Sequence, residues 1–368
     1  MCGIYGITAK DEAFIQNYIT TCSHRGPDGQ GIWSDDSVTL GHNLLAITET
    51  NTQSQQPWKT PQGNILIYNG EIFNYFELLD KYPSFVPKTT CDTELLAWGL
   101  DQYGIDFVQH IDSMHAFAYY VVADKKIYLS RDHAGIKPLH YAETSEGIVF
   151  GSEIKGMLDK VPNARKVDTI AFSCFSMSGV NVTRNTFFTN IKKVLSGEIL
   201  VYNMDKKKLS THSRQVIYPH ASESVDLEEF RSQMHDTVKM CSIGKRQIGV
   251  FLSGGIDSTM IAYELNKVQP PAWTFTNWIN PKPKADEDFN SDYAVAGILA
   301  KENNFNHTTV EISPEIYHAY WENAAYQIEQ PVYSSNLSMY SYMNKFLSEQ
   351  GVVVTMAGDM GDELFGGY

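Results

Sequence analysis

The stretch Ile248-Gly249-Val250-Phe251-Leu252-Ser253-Gly254-Gly255-Ile256-Asp257-Ser258 determines the fold class of the second half of the chain. Its apolar run predicts a buried strand, and the two glycines predict a tight turn into a helix over 258–267. Such a turn lets backbone N–H groups approach a phosphate, and the following helix N-terminus adds a positive dipole. The stretch is not a Walker A loop, because G-x-x-x-x-G-K-[ST] is absent.

The sequence around this stretch alternates between strand and helix patterns. We predict strands at 248–252, 273–276 and 352–356, and helices at 227–240, 258–267, 292–302, 316–328 and 337–349. This alternation predicts an α/β domain with a mostly parallel sheet, whose ligands bind beyond the carboxyl ends of the strands. A second glycine-rich stretch, 357–368, follows the last predicted strand and is expected at the same edge.

The first 210 residues consist of short apolar runs separated by Gly, Asn and Asp. The runs predict strands, which include 38–40, 65–68, 116–122, 127–129, 148–150 and 199–202. Two helices are predicted, at 73–80 and 92–103, so this half is a sheet-rich α+β domain. Because 205–224 is polar and aperiodic, we interpret it as the linker and divide the chain into domains 1–210 and 222–368.

Composition excludes several classes of protein. The 368 residues contain 29 Lys and Arg against 43 Asp and Glu, a net charge of −14, which argues against a nucleic-acid partner. The five scattered cysteines fit neither a disulfide framework nor a zinc site. The sequence has no apolar run of about 18 residues and no signal-peptide pattern, so we expect no membrane span and a cytoplasmic location.

Three positions in the first half are candidates for catalysis or substrate binding. Removal of Met1 would leave the Cys2 thiol and its own α-amino group as nucleophile and base on one residue, although many unpaired cysteines are inert. Asn69-Gly70 is either a hairpin turn or the pair of donors that a tetrahedral intermediate requires. Asp92 is either a helix cap or a carboxylate that holds the ammonium of an amino-acid substrate.

Motifs throughout the first half together resemble the class II glutamine amidotransferase domain, an N-terminal-nucleophile hydrolase with a sandwich of two antiparallel sheets and helices. These motifs are Met1-Cys2-Gly3-Ile4, His24-Arg25-Gly26-Pro27-Asp28, Asn69-Gly70-Glu71-Ile72-Phe73-Asn74, Asp92-Thr93-Glu94, the stretch from Arg131 to Leu139, and Gly151-Ser152-Glu153-Ile154-Lys155. The resemblance implies that Cys2 is the nucleophile and that Asn69 and Gly70 hold the oxyanion. It implies glutamine-binding positions at Leu44, Leu45, Ala46, Ile47, Thr48, Asn69, Gly70, Glu71 and Asp92.

The second half resembles the ATP pyrophosphatase domain of glutamine-dependent asparagine synthetases, incomplete at its C-terminal end. The resemblance implies ATP-binding positions at Leu252, Ser253, Gly254, Gly255, Asp257, Ser258, Asn277, Ala357 and Gly358. It also implies Mg²⁺ ligands at Asp257 and Asp362, and a role for Asp359 in the step at which ammonia meets the adenylate. The expected substrates are glutamine, aspartate and ATP. The family is often dimeric, and a separate chain that supplies the remaining segment is an alternative.

The sequence departs from the family pattern in three places. Leu44 stands where the family usually has an Arg that binds the glutamine carboxylate, and Asp359-Met360 stands where it often has Glu-Gly or Asp-Gly. The sequence ends at Tyr368, before the helical segment that contributes a catalytic Lys and much of the aspartate pocket in the family. We therefore keep two alternatives to a glutamine-hydrolysing asparagine synthetase: a stand-alone glutaminase, and an amidotransferase that acts on another carboxylate.

Overall fold

The computed structural model describes residues 1–48, 54–215, 226–280, 290–332, 334 and 336–367. The chain divides into two compact units, Met1–His220 and Ala221–Tyr368. No helix in these described ranges is both long and apolar enough to cross a bilayer.

The first unit contains two six-stranded antiparallel sheets and four α-helices in its described part. The strands are β1 Gly3–Ile7, β2 Gly29–Ser34, β3 Thr39–Leu44, β4 Trp58–Lys59, β5 Ile65–Ile72, β6 Ser113–Val121, β7 Lys126–Arg131, β8 His140–Thr144, β9 Gly147–Gly151, β10 Lys192–Lys193, β11 Glu198–Asn203 and β12 Lys208–Arg214. The helices are α1 Glu12–Thr21, α2 Tyr75–Lys81, α3 Asp92–Tyr103 and α4 Thr169–Ser178. The strand orders are β10-β8-β9-β1-β3-β2 and β12-β11-β7-β6-β5-β4.

The two sheets pack face to face. Side chains that alternate along each strand point to opposite faces, so one face of each sheet contributes to the core between the sheets. Ile65 and Ile67 on β5 lie in the core between the sheets together with Ile4 of β1. Leu66 of the same strand points outward and packs under α2 and α3, whereas Tyr5 of β1 packs against α1. The predicted sandwich of two antiparallel sheets with outer helices is therefore confirmed.

The second unit is built on a parallel sheet in the order β15-β14-β13-β16. Its strands are β13 Ile248–Phe251, β14 Trp273–Ile279, β15 Asn306–Ile312 and β16 Val354–Met356, and its helices are α5 Leu227–Cys241, α6 Ile256–Val268, α7 Ser291–Glu302, α8 Pro314–Ile328, α9 Asn336–Glu349 and α10 Gly361–Phe365. The chain proceeds outward from β13 through β14 to β15 and then returns to β16 on the other side of β13. The predicted α/β class is confirmed, and the two glycine-rich turns follow neighbouring strands at the switch point of the sheet.

The structure corrects several predicted elements. The predicted linker includes β12, which pairs with β11 over 208–214, and its last part, 216–224, lies outside the described residues. The edge strands β12 and β15 were not predicted, because an edge strand buries little of its surface and its sequence is therefore mostly polar. The helices α1 and α4, which were not predicted, begin at capping aspartates, Asp11 and Asp168, whose carboxylates accept backbone N–H groups.

Candidate functional site

Cys2 lies directly before β1, the strand that pairs with both β3 and β9 within its sheet. The thiol is held by the backbone of Leu45, whose N–H donates to Sγ at 3.3 Å and whose carbonyl oxygen lies 3.6 Å from it. Burial lowers the pKa of the Met1 amino group to about 5, so this amine is unprotonated at neutral pH. Removal of Met1 would give Cys2 its own α-amino group beside the thiol, the pair that N-terminal nucleophilic catalysis needs.

All the residues that the resemblance assigned to glutamine line one cavity together with Cys2. They are Leu44, Leu45, Ala46, Ile47, Thr48, Asn69, Gly70, Glu71 and Asp92. They come from the end of β3 and the turn after it, from β5, and from the first residue of α3. The fold therefore brings together three segments that are distant in the sequence.

Asn69 and Gly70 lie within β5 opposite Ala116 and His115 of β6, so their interpretation as a hairpin turn is wrong. The Asn69 side chain is buried at 1% exposure, and its Nδ2 has no hydrogen-bond partner among the described residues. A buried amide donor without an acceptor costs free energy, and it gains a partner when a negatively charged oxygen enters the cavity.

Two carboxylates lie in the same cavity. Asp92 is the first residue of α3, and its carboxylate accepts hydrogen bonds from the Tyr68 hydroxyl and the Ile72 N–H, both at 3.1 Å. Burial raises the pKa of Glu71, and the charge of Asp92 raises it further. Burial also raises the pKa of Asp92. A cation that enters the cavity, such as a substrate ammonium, would favour the ionised form of both carboxylates and pair with them.

The cations near Cys2 were missed as site residues, although the quoted motifs contain them. Arg25 donates through Nε to the Cys2 carbonyl at 3.0 Å and through Nη1 to Glu153 at 2.9 Å. Glu153 also contacts His24 and Lys155, and although burial acts to raise its pKa, these three partners hold it well below the usual range. Lys137, which lines the cavity itself, is buried as well. Leu44, the position at which the resemblance predicted an Arg in the family, is buried.

In the second unit, the glycine-rich turn after β13 leads directly into α6, which begins at Ile256, two residues earlier than predicted. Ser253 and Ser258 close the turn, since the Ser253 N–H donates to Ser258 Oγ at 3.1 Å and the two hydroxyls lie 3.0 Å apart. Gly254 has a φ of 84°, which L side chains rarely adopt, and a β-carbon there would meet Val295 of α7 at 3.0 Å. The turn thus requires glycine for its backbone conformation and for its packing.

The loop after β16 packs onto the N-terminal turn of α6. A β-carbon on Gly358 would lie 2.8 Å from that of Asp257, and one on Gly361 would lie 2.5 Å from the Asp257 Cγ. The two loops border a cavity of about 700 Å³. Of the residues assigned to ATP, Mg²⁺ and the adenylate, those that line it are Leu252, Ser253, Gly255, Asp257, Ser258, Asn277, Ala357, Gly358, Asp359 and Asp362. Gly254 does not line it and instead lies against α7.

The donor set in this cavity fits Mg²⁺. The Asp257 and Asp362 side chains both border it, and neither makes an ion pair with a basic side chain in the described part of the chain. Mg²⁺ is commonly held by one or two carboxylates together with phosphate oxygens, so two unneutralised carboxylates beside a phosphate-binding turn are suitable ligands. The described residues contain no group of three or more His, Cys, Asp or Glu side chains that would form an all-protein metal site.

Comparisons with known proteins match each unit separately. A family model described as glutamine amidotransferase domain matches residues 1–213, and one described as asparagine synthase matches 229–368. The putative asparagine synthetase (glutamine-hydrolyzing) 2 of Methanocaldococcus jannaschii is 26% identical and aligns with all of this chain and 76% of its own length. The asparagine synthetase (glutamine-hydrolyzing) 1 of Bacillus subtilis is 28% identical over all of this chain and 59% of its own length. The Escherichia coli asparagine synthetase B (glutamine-hydrolyzing) is 26% identical over all of this chain and 65% of its own length. The chain thus spans less than two thirds of the last two relatives.

Proposed function

The chain belongs to the glutamine amidotransferase family through residues 1–213 and continues with an asparagine synthase domain, and from this premise we propose that it catalyses the two half-reactions of a glutamine-hydrolysing asparagine synthetase. The first unit releases ammonia from glutamine. The second activates aspartate with ATP as β-aspartyl-AMP and releases pyrophosphate, and ammonia then converts this adenylate to asparagine with release of AMP. The observation that carries the glutamine half-reaction is the Asn69 Nδ2 in the Cys2 cavity, which has no hydrogen-bond partner in the part of the chain that the structure describes.

In the first half-reaction, the Cys2 thiol attacks the side-chain amide of glutamine after removal of Met1. The sulfur–carbon bond forms while the thiol proton passes to the Cys2 α-amino group. Asn69 Nδ2 and the Gly70 N–H stabilise the oxyanion, and this electrostatic stabilisation is often the largest contribution to catalysis. The protonated α-amino group of Cys2 then donates its proton to the leaving nitrogen, and the carbon–nitrogen bond breaks with release of ammonia. Water hydrolyses the remaining thioester to glutamate. Glu71 and Asp92 hold the α-ammonium of the substrate.

In the second half-reaction, this chain's own residues bind and orient the nucleotide. The N-terminus of α6, which follows the glycine-rich turn directly, holds phosphate oxygens. Mg²⁺, when held by Asp257 and Asp362, supplies positive charge to the phosphates. Asp359 borders the same cavity, and we assign it to the step at which ammonia meets the adenylate. We assign the glutaminase to residues 1–210 and the synthetase to 222–368.

The test measures pyrophosphate, asparagine and glutamate formed by the 368-residue chain from Mg-ATP, aspartate and glutamine. We expect Cys2→Ala to abolish all glutamine-dependent products and to leave ammonia-dependent asparagine formation intact. Cys174→Ala, on α4 and outside both cavities, is the matched control and should change neither reaction.

Each other outcome contradicts part of the proposal. Glutamate without pyrophosphate would make this chain a glutaminase alone. Pyrophosphate released with a different carboxylate, but not with aspartate, would identify another acceptor. Glutamate formation that survives Cys2→Ala would refute the assigned nucleophile.

A further inference from the structure

Lys137 places a buried ammonium in the cavity that contains Cys2. The residue is 6% exposed and borders this cavity, and in the described ranges its Nζ forms no hydrogen bond and no ion pair. An isolated ammonium is costly to bury, and such groups are retained when an opposite charge faces them. A negative charge that forms near Lys137 would therefore stabilise its ammonium group.

The backbone around Lys137 is fixed from both sides. The Asp132 carboxylate, itself buried, accepts hydrogen bonds from the N–H groups of His115, Ile136 and Lys137 at 3.2, 2.9 and 3.0 Å. The Arg131 guanidinium donates to the Lys137 carbonyl at 2.8 Å and also binds two other backbone carbonyls. This arrangement orders the turn between β7 and β8, so little free energy is spent on positioning the ammonium when a charge appears.

Charged groups of both signs act on Lys137 and Cys2. Burial lowers the pKa of Lys137 and Arg25 lowers it further, whereas Cys2, Glu71 and Asp132 act in the opposite direction. Burial raises the pKa of the Cys2 thiol, and the Leu45 N–H, the terminal amine, Lys137 and Arg25 oppose this. Burial thus disfavours the charged form of either group alone, and an ammonium facing a thiolate relieves both penalties. Arg25 is already paired with Glu153, which leaves Lys137 as the cation without a fixed partner among the described cavity residues.

We propose that Lys137 is a positioning residue of the glutaminase, the fixed positive charge that favours the thiolate form of Cys2 as its proton passes to the α-amino group. The inference rests on the proposed glutaminase function and adds a residue to it. Lys137 acts through the sulfur, and the α-amino group of Cys2 remains the base.

The test measures the rate at which iodoacetamide alkylates Cys2 as a function of pH, with the Cys2 peptide followed by mass spectrometry in the full chain. This measurement needs no glutamine, and the same spectra report whether Met1 is removed. We expect K137M to raise the apparent pKa of the thiol by about one unit and to slow alkylation at neutral pH about tenfold. K137R, which retains the charge, should restore the parent profile. K160M removes a partly buried lysine that pairs with Asp11 outside the cavity, and it should leave the profile unchanged.

An alkylation profile of K137M that coincides with that of the parent protein would overturn the proposal. If K137M instead raises the glutamine KM without moving the alkylation profile, Lys137 binds the substrate carboxylate and the proposal is also overturned. If K137M melts at a lower temperature than the parent protein, K137Q is compared with K137R at a temperature below the melting transition of each. Equal alkylation profiles of these two variants would again refute the effect of Lys137 on the Cys2 thiolate. Retained Met1 with an inert thiol in every variant, the parent included, would instead refute the glutaminase assignment and with it the role given to Lys137.

Discussion

Replacing Asn69 with alanine should separate activity from stability. The Asn69 side chain is buried and its Nδ2 has no hydrogen-bond partner in the described part of the protein, so the resting enzyme gains nothing from this donor. In the proposed reaction, the same donor acquires an acceptor only when the oxyanion forms. Asn69→Ala therefore removes an interaction that exists in the transition state but not in the folded ground state.

The two expected magnitudes have different origins. Loss of one oxyanion-hole donor reduces kcat by about 10²–10³, which corresponds to about 2.7–4 kcal/mol. An unpartnered buried donor costs about 1–3 kcal/mol, and its removal offsets the packing lost on truncation. We therefore expect the free energy of unfolding of Asn69→Ala to stay the same or to rise by about 1 kcal/mol.

Asn64 is the matched control, because it is a buried asparagine of the same unit with satisfied hydrogen bonds. Its Nδ2 donates to Asp101 and to the Tyr119 hydroxyl at 3.0 and 2.9 Å, and its Oδ1 accepts the Val122 N–H at 3.2 Å. Asn64→Ala loses three hydrogen bonds and should cost about 2–4 kcal/mol of stability, with unchanged kcat below its melting transition.

The assays are glutamate release at saturating glutamine and urea denaturation of both variants. If Asn69→Ala keeps its kcat, or loses as much stability as Asn64→Ala, then Asn69 Nδ2 is a structural donor and the assignment of the oxyanion site is wrong.

Three further predictions concern charge and backbone conformation. Burial and a neighbouring carboxylate raise the pKa of Glu71, so the folded state binds a proton that the unfolded state releases, and the free energy of unfolding falls as pH rises above about 4.3. Glu71→Gln should flatten this decline in urea titrations from about pH 5 to about pH 8. Parallel curves for the variant and the parent protein would show that Glu71 does not cause the decline. Glu153→Gln leaves Arg25 without an ionised partner and should cost about 3–5 kcal/mol by the same method, whereas Asp159→Asn, in a mostly exposed pair, should cost almost nothing. Met360 has a φ of 73°, so Met360→Gly should be about 1 kcal/mol more stable than Met360→Ala, and equal melting temperatures would count against left-handed strain there.

The sequence determined the class of each half of the chain. Short apolar runs separated by turn residues indicated antiparallel sheets before residue 210, and alternating strands and helices indicated a parallel sheet after residue 227. The glycine-rich turns were placed correctly at one edge of that sheet, because the carboxyl ends of parallel strands meet there. These features are local, so the periodicity of hydrophobic side chains within a short segment is enough to predict them.

Elements with weak hydrophobic patterns were missed from the sequence. The edge strand Asn306–Ile312 has only two hydrophobic side chains, Val310 and Ile312, and both are buried, so its pattern is mostly polar. The strand Lys208–Arg214 is similarly polar and was interpreted as linker. Both gain their stability from backbone pairing with a neighbouring strand, a long-range interaction that leaves little trace in side-chain composition.

The tertiary structure alone decided what each site residue contacts. It turned Gly254 toward α7 and away from the cavity beside β13 and β16, left the Asn69 amide without an acceptor among the described residues, and placed Lys137 in the cavity of Cys2. The sequence contains the residues of each motif, but the fold determines which side chains converge and which are desolvated. Burial sets the charge state of these groups, and burial is a property of the packed sheets and not of any single segment.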